Sequence, residues 1–331
     1  MKALAYPALV GRPEPGDLVL LNTTALAMGL GTGGYAMVTA VPDRLPPDPS
    51  GPGHLVKARY TPLQATVLGA DEQDSPHHAL LADADSLDAM PVIVADLHSA
   101  LPPILAGLLA ARPQTRVVYV MPDGGALPAW FSMSIAQLKA AGALAATVTV
   151  GQAFGGDLEA VTVHTGLLAA RLVLDADVVV LAQGPGNLGT GTRWGFSGVS
   201  AGEAVNAAAV LSGRPVGSLR VSEGDARERH QGVSHHSLTA YGRVALAPAD
   251  IPVPLLPGEF GAKVRSQAAA LTRHRLVEVP VDGLADVLAA AEKDWGVRLS
   301  TMGRRLDGDL AYFLAAAAAG RHTATLLPGP S

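Results

Sequence analysis

Short apolar runs separated by polar turns set the rhythm of this chain. In the first part they are Asp17–Leu21, Tyr35–Val41, Leu55–Tyr60 and Ala65–Leu68, divided by Gly and Pro. That spacing predicts short strands of a small barrel or sandwich. Asp43–Gly53 (DRLPPDPSGPG) reads as a loop, with too many prolines for a central strand.

Beyond about Asp71 the period changes. Continuous apolar strands are expected at Pro91–Ala95, Arg116–Met121, Ala146–Gly151, Asp177–Ala182 and Pro215–Val221. Helical patterns fill the gaps at Pro102–Ala111, Pro128–Ala141, Leu158–Leu174 and Ala201–Leu211. Strands that are apolar throughout are buried on both faces, as in a parallel sheet covered by helices. Lys263–Glu292 adds helix, strand (Leu276–Val281) and helix, and Asp309–Ala319 a last helix. The expected fold is α/β, with a mainly parallel Rossmann-like sheet in residues 76–331 and a smaller β-rich domain in residues 1–75.

The parallel arrangement gathers the residues that follow each strand on one rim. There the chain is polar and rich in glycine. Asp96 and His98 follow the first strand, Asp157 the third, and His230, His235 and His236 the fifth. These six are the candidate acid–base or metal-ligating groups, because imidazole titrates near neutrality and suits transition metals alongside carboxylate. The fourth strand runs into Gln183–Gly198 (QGPGNLGTGTRWGFSG). The amides of Gly184, Gly186, Asn187, Gly189, Thr190, Gly191 and Thr192, with the Thr hydroxyls and Arg193, could hold a phosphate or carboxylate.

Several familiar chemistries do not fit. Gly184, Gly186 and Gly189 spell G-x-G-x-x-G, but the next helix starts late and no acid follows at the right distance, so a dinucleotide is not expected. Gly29, Gly31 and Gly34 repeat the pattern ahead of a strand and read as a turn. There is no P-loop and no H-E-x-x-H, and none of Ser99, Ser197, Ser222 or Ser234 lies in G-x-S-x-G. With no cysteine, disulfides, thiolate metal sites and a cysteine nucleophile are excluded. A divalent metal therefore rests on histidine and carboxylate alone.

Net charge is −5, which gives no basic surface for nucleic acid. No apolar run is long enough to cross a membrane, and the N-terminus lacks a signal-peptide pattern. A cytoplasmic protein with a small-molecule ligand is expected. Ala-rich helices, where exposed, would suit a homo-oligomer.

The segments LLNTTALAMGLGTGGYAMV (Leu20–Val38), LVKARYTPLQ (Leu55–Gln64), EQDSP (Glu72–Pro76), FGGDLEAV (Phe154–Val161), the glycine loop and GVSHHS (Gly232–Ser237) resemble a domain-of-unknown-function family of actinobacteria and firmicutes. The resemblance spans most of the chain and implies an intracellular bacterial protein. It brings no activity and no catalytic residues. The sequence leaves three readings open: an enzyme acting on a small anionic metabolite, a non-catalytic metabolite-binding or regulatory module, and a structural homo-oligomer.

Overall fold

The apolar runs of the second part become eight parallel strands in a computed structural model that describes every residue except Pro49, Pro330 and Ser331. They are β1 (Pro91–Ala95), β2 (Val117–Met121), β3 (Ala146–Thr149), β4 (Leu158–Glu159), β5 (Val178–Ala182), β6 (Arg214–Gly217), β7 (Asp250–Leu255) and β8 (Arg275–Pro280). Their order across the sheet is β8-β7-β6-β1-β5-β2-β3-β4. Every residue of β1, β2, β3 and β5 is buried. This is the burial that continuous Val, Ile and Leu runs demand.

Helices cover the sheet: α1 (Leu101–Ala111), α2 (Met133–Ala140), α3 (Val163–Leu172), α4 (Ser200–Val210), a short α5 (His235–Thr239), α6 (Gly258–Ala268), α7 (Leu284–Asp294) and α8 (Leu310–Ala324). α8 is the core helix. Its Ala315–Ala319 run is 0–1% exposed, so those alanines serve close packing and offer no surface to a second copy. A Cβ on Gly107 of α1 would come within 1.9 Å of the Ala317 carbonyl oxygen, and one on Gly320 within 2.0 Å of that of Ile104. The two helices therefore meet backbone to backbone, which only small residues permit.

Two strands of the sheet lie outside the expectation. The helix expected from Leu158 starts later: Leu158–Glu159 pairs with β3 as an edge strand. Thr162 then caps α3 by accepting from the Thr165 amide at 3.2 Å. β7 was not expected, because DIPVPL carries two prolines. The Ala249 carbonyl accepts from Arg275 of β8. Residues 250, 252 and 254 thus turn their backbone toward β6, which pairs with β7 only at Val216–Asp250. Pro252 and Pro254 therefore remove donors on a side where β6 has already ended.

The first part forms short strands. Ala36–Ala40 lies between Ala3–Leu4 and Leu20–Asn22, and Leu55–Lys57 pairs with Ala65–Val67 as a hairpin. The hairpin stands on the β4 edge. Lys57 Nζ donates to the carbonyls of Ala153 and Ala160 at 3.0 and 2.8 Å, and the Ala70 amide donates to Glu159 at 2.7 Å.

Candidate functional site

The strand order puts the switch point at β1. The chain leaves β1 for β2 on one side and later lays β6 on the other, which opens a crevice beyond the strand ends. Asp96 follows β1, Gln183 follows β5 and Arg220 comes shortly after β6. Gln183 Nε2 donates to the Asp96 carbonyl at 2.8 Å. Gly198 closes the glycine loop onto the same residue: a Cβ there would meet Asp96 at 2.9 Å.

His230, His235 and His236 come together over Asp96. Each offers one ring nitrogen, and these nitrogens lie within 4.8 Å of one another. Ser234 organises them. It caps α5 by accepting from the His236 amide at 3.2 Å, and its Oγ is 2.8 Å from His230 Nδ1. His236 lies flat on Phe196, with ring centroids 3.7 Å apart. Its Nδ1 is 3.1 Å from an Arg220 guanidinium nitrogen and 3.5 Å from Asp96 Oδ2. The loop carrying His230 is braced by Asp225, which accepts from Arg227 at 2.7 Å and Arg304 at 3.2 Å.

Burial and cationic neighbours keep two of the rings neutral. Burial, then Arg220 and Arg227, push His230 down to about 3. Burial, then His236 and Arg229, push His235 down to about 4. Neutral imidazoles keep a lone pair at physiological pH.

His235 also lines a pocket of about 680 Å³, together with Gly191, Arg193, Arg229, Thr239 and Arg243. The segments after β5, after β6 and after α5 thus each supply one guanidinium group. Among the described residues, none of Arg193, Arg229 and Arg243 has a carboxylate within 4 Å.

The other expected site residues are placed elsewhere. His98 is held by Tyr119 and Ser132, with Nδ1 3.0 Å from the phenol oxygen and Nε2 2.7 Å from the hydroxyl. Burial pushes it down to about 4. It lines a separate cavity of about 300 Å³ with Ser99, Gly184, Gly186 and Asn187. The glycine loop is therefore split: its first residues face His98 and its later ones face His235. Asp157 stands at β4, on the far edge of the sheet. Its carboxylate accepts from the Thr147 amide at 2.7 Å and pairs with Lys139, so it does not converge with the histidines.

Inside the loop several expected anion contacts serve the loop itself. Thr190 and Thr192 hydroxyls are 3.1 Å apart, and Thr192 Oγ1 accepts from the Gly195 amide at 3.1 Å. Asn187 Oδ1 accepts from Gln183 at 2.9 Å and Ser197 at 3.2 Å. Gly189 pairs with Phe196 across the hairpin. The sequence reading overlooked Arg220, Arg229, Arg243 and Phe196. Arg229 had a signal, since it directly precedes His230, whereas Arg243 sits in the π-helical stretch Ala240–Val244 after α5 with none.

Fold and site together define an α/β protein with a Rossmann-like parallel sheet and a pocket lined by His235 and three arginines. The chain belongs to the family described as protein of unknown function (DUF3866), whose model matches residues 2–320. No curated protein and no solved structure matches it.

Proposed function

We propose that this protein is an enzyme acting on a small anionic metabolite bound between Arg193, Arg229 and Arg243. The observation that carries this reading is the gathering of three guanidinium groups without carboxylate partners, in a chain of net charge −5. Like charges brought together repel, so such a cluster favours an anion that neutralises it. Guanidinium also matches phosphate and carboxylate geometrically, through paired N–H donors. A volume of about 680 Å³ suits a metabolite. His235 turns the pocket toward chemistry, because its imidazole forms part of the same wall.

Residues 1–75 belong to this reading as a separate β-rich unit. None of its described residues lines the pocket, so the substrate is held by the α/β part.

A thermal-shift screen tests the reading, using inorganic phosphate, pyrophosphate, phosphorylated metabolites, nucleotides and dicarboxylates. A ligand at a hundred times its Kd stabilises the folded state by about 2.7 kcal/mol. The hits should be anions, should weaken with salt and should vanish in the Arg229→Ala/Arg243→Ala double variant. Hits among neutral compounds, or anions that bind the double variant equally well, contradict it. Binding without turnover of any hit would leave the metabolite-binding module.

A further inference from the structure

Two buried side-chain atoms at the histidine cluster have no hydrogen-bond partner among the described residues, Oδ2 of Asp96 and Nε2 of His235. A buried polar atom left unmet is costly, so each calls for a physical cause. One bound ion accounts for both. We propose that His230, His235 and His236 form a site for a divalent transition metal of the zinc class, with Asp96 as the carboxylate behind His236.

The hydrogen bonds around the rings fit this assignment. His230 Nδ1 faces Ser234 Oγ at 2.8 Å, so an Nδ1–H donating there leaves the Nε2 lone pair for a metal. His236 Nδ1 is 3.5 Å from Asp96 Oδ2. An Nδ1–H donating to that oxygen would satisfy it and turn Nε2 into the ligand. This is the carboxylate–histidine–metal arrangement, in which the outer carboxylate fixes the tautomer and raises the basicity of the ring. His235 needs only the metal to satisfy its Nε2.

Arg220 is the counterweight. Its guanidinium nitrogen is 3.1 Å from His236 Nδ1 and 3.8 Å from Asp96 Oδ2. When it donates to Nδ1, the proton of His236 sits on Nε2 and that nitrogen cannot ligate. Metal and Arg220 therefore compete for the tautomer of His236, and loading the metal turns Arg220 toward Asp96. Phe196, stacked on the face of His236, holds the ring plane and leaves its in-plane nitrogens free.

Three imidazoles suit zinc and its neighbours in the transition series, whereas calcium and magnesium call for oxygen ligands. Zinc–nitrogen bonds are about 2.0–2.1 Å long, so nitrogens within 4.8 Å close on the ion by modest ring rotation. His235 is shared with the arginine pocket, which is where a fourth ligand would come from. Only that last point rests on the anion reading.

The test uses the full chain, stripped with a chelator and titrated with Zn²⁺ by calorimetry and with Co²⁺ by visible absorption. Elemental analysis counts the bound metal. One ion per chain is expected, with 1:1 binding and the cobalt band lost in His235→Gln and His236→Gln. Asp96→Asn should keep the stoichiometry but bind about 10–100-fold more weakly. If His236→Gln does not fold, His235→Gln decides, since that ring lies at the pocket wall. No stoichiometric Zn²⁺, or equal Zn²⁺ affinity in His235→Gln, overturns the proposal. Pyrophosphate that still stabilises the stripped protein while Zn²⁺ fails to bind sinks the metal site and spares the anion reading. Zn²⁺ bound 1:1 with no anion bound does the reverse.

Discussion

The amide of Thr190 donates to the carbonyl of Gly195 at 2.7 Å and closes the glycine loop into a hairpin. A Cβ on Gly195 would stand 2.1 Å from Thr190 Oγ1 and 2.6 Å from Thr192 Oγ1. The Gly195→Ala side chain displaces both Thr hydroxyls and the hydrogen bonds they make inside the hairpin that sets Gly191 against Arg229. Pyrophosphate affinity should fall about tenfold, the equivalent of roughly 1.4 kcal/mol. The loop is exposed, so the thermal midpoint of the unliganded protein should hardly move. Calorimetry and a melt on the same sample check both halves; affinity retained in full would show that the loop does not position the anion.

Lys57 fastens the first part of the chain to the sheet edge. Its ammonium is 3.6 Å from Glu159 Oε2, and both side chains are buried. Removing one member leaves the other uncompensated, which costs about 3–5 kcal/mol. Lys57→Met should be destabilised by that order in urea unfolding, and Lys57→Met/Glu159→Gln should recover most of the loss. A single variant as stable as the parent would show that the pair does not hold the two parts together.

His98 predicts a pH dependence away from the pocket. Burial lowers it from 6.5 to about 4, so it is neutral in the fold at neutral pH. As pH falls from 6.5 toward 4 the unfolded chain takes up a proton that the folded protein does not. The folded state therefore loses stability across that window. Below about 4 both states are protonated and the loss stops. The full shift is worth about 3 kcal/mol. The stability advantage of the parent over His98→Gln should therefore shrink by about that amount between pH 7 and pH 4. An advantage that is the same at both pH values would mean that His98 is not held neutral.

The sequence made the central strands legible, since runs such as Val178–Ala182 leave no polar face for water. β7 was hidden by Pro252 and Pro254, whose missing donors look fatal until one knows that β6 ends beside Asp250. β4 was hidden because Leu158 fits the period of the helix that Thr162 in fact starts. At the site, the close spacing of His230, His235 and His236 was readable, because Ser234 and a tight turn can fold four or five residues back on themselves. Asp157 looked equivalent, but strand order placed it four strands from β1. Arg229 and Arg243 were not legible, because an arginine between strands is ordinary until its neighbours are known. The glycine loop was readable as a wall, but not as one that divides two cavities.

The most direct measurement is a crystal structure of the full chain grown with inorganic pyrophosphate. The anion should lie against the guanidinium groups of Arg229 and Arg243, beside Gly191 and within reach of His235. An anion lodged instead between His98 and Gly184–Asn187, or three arginines paired with carboxylates of a second copy and no anion among them, would contradict the account.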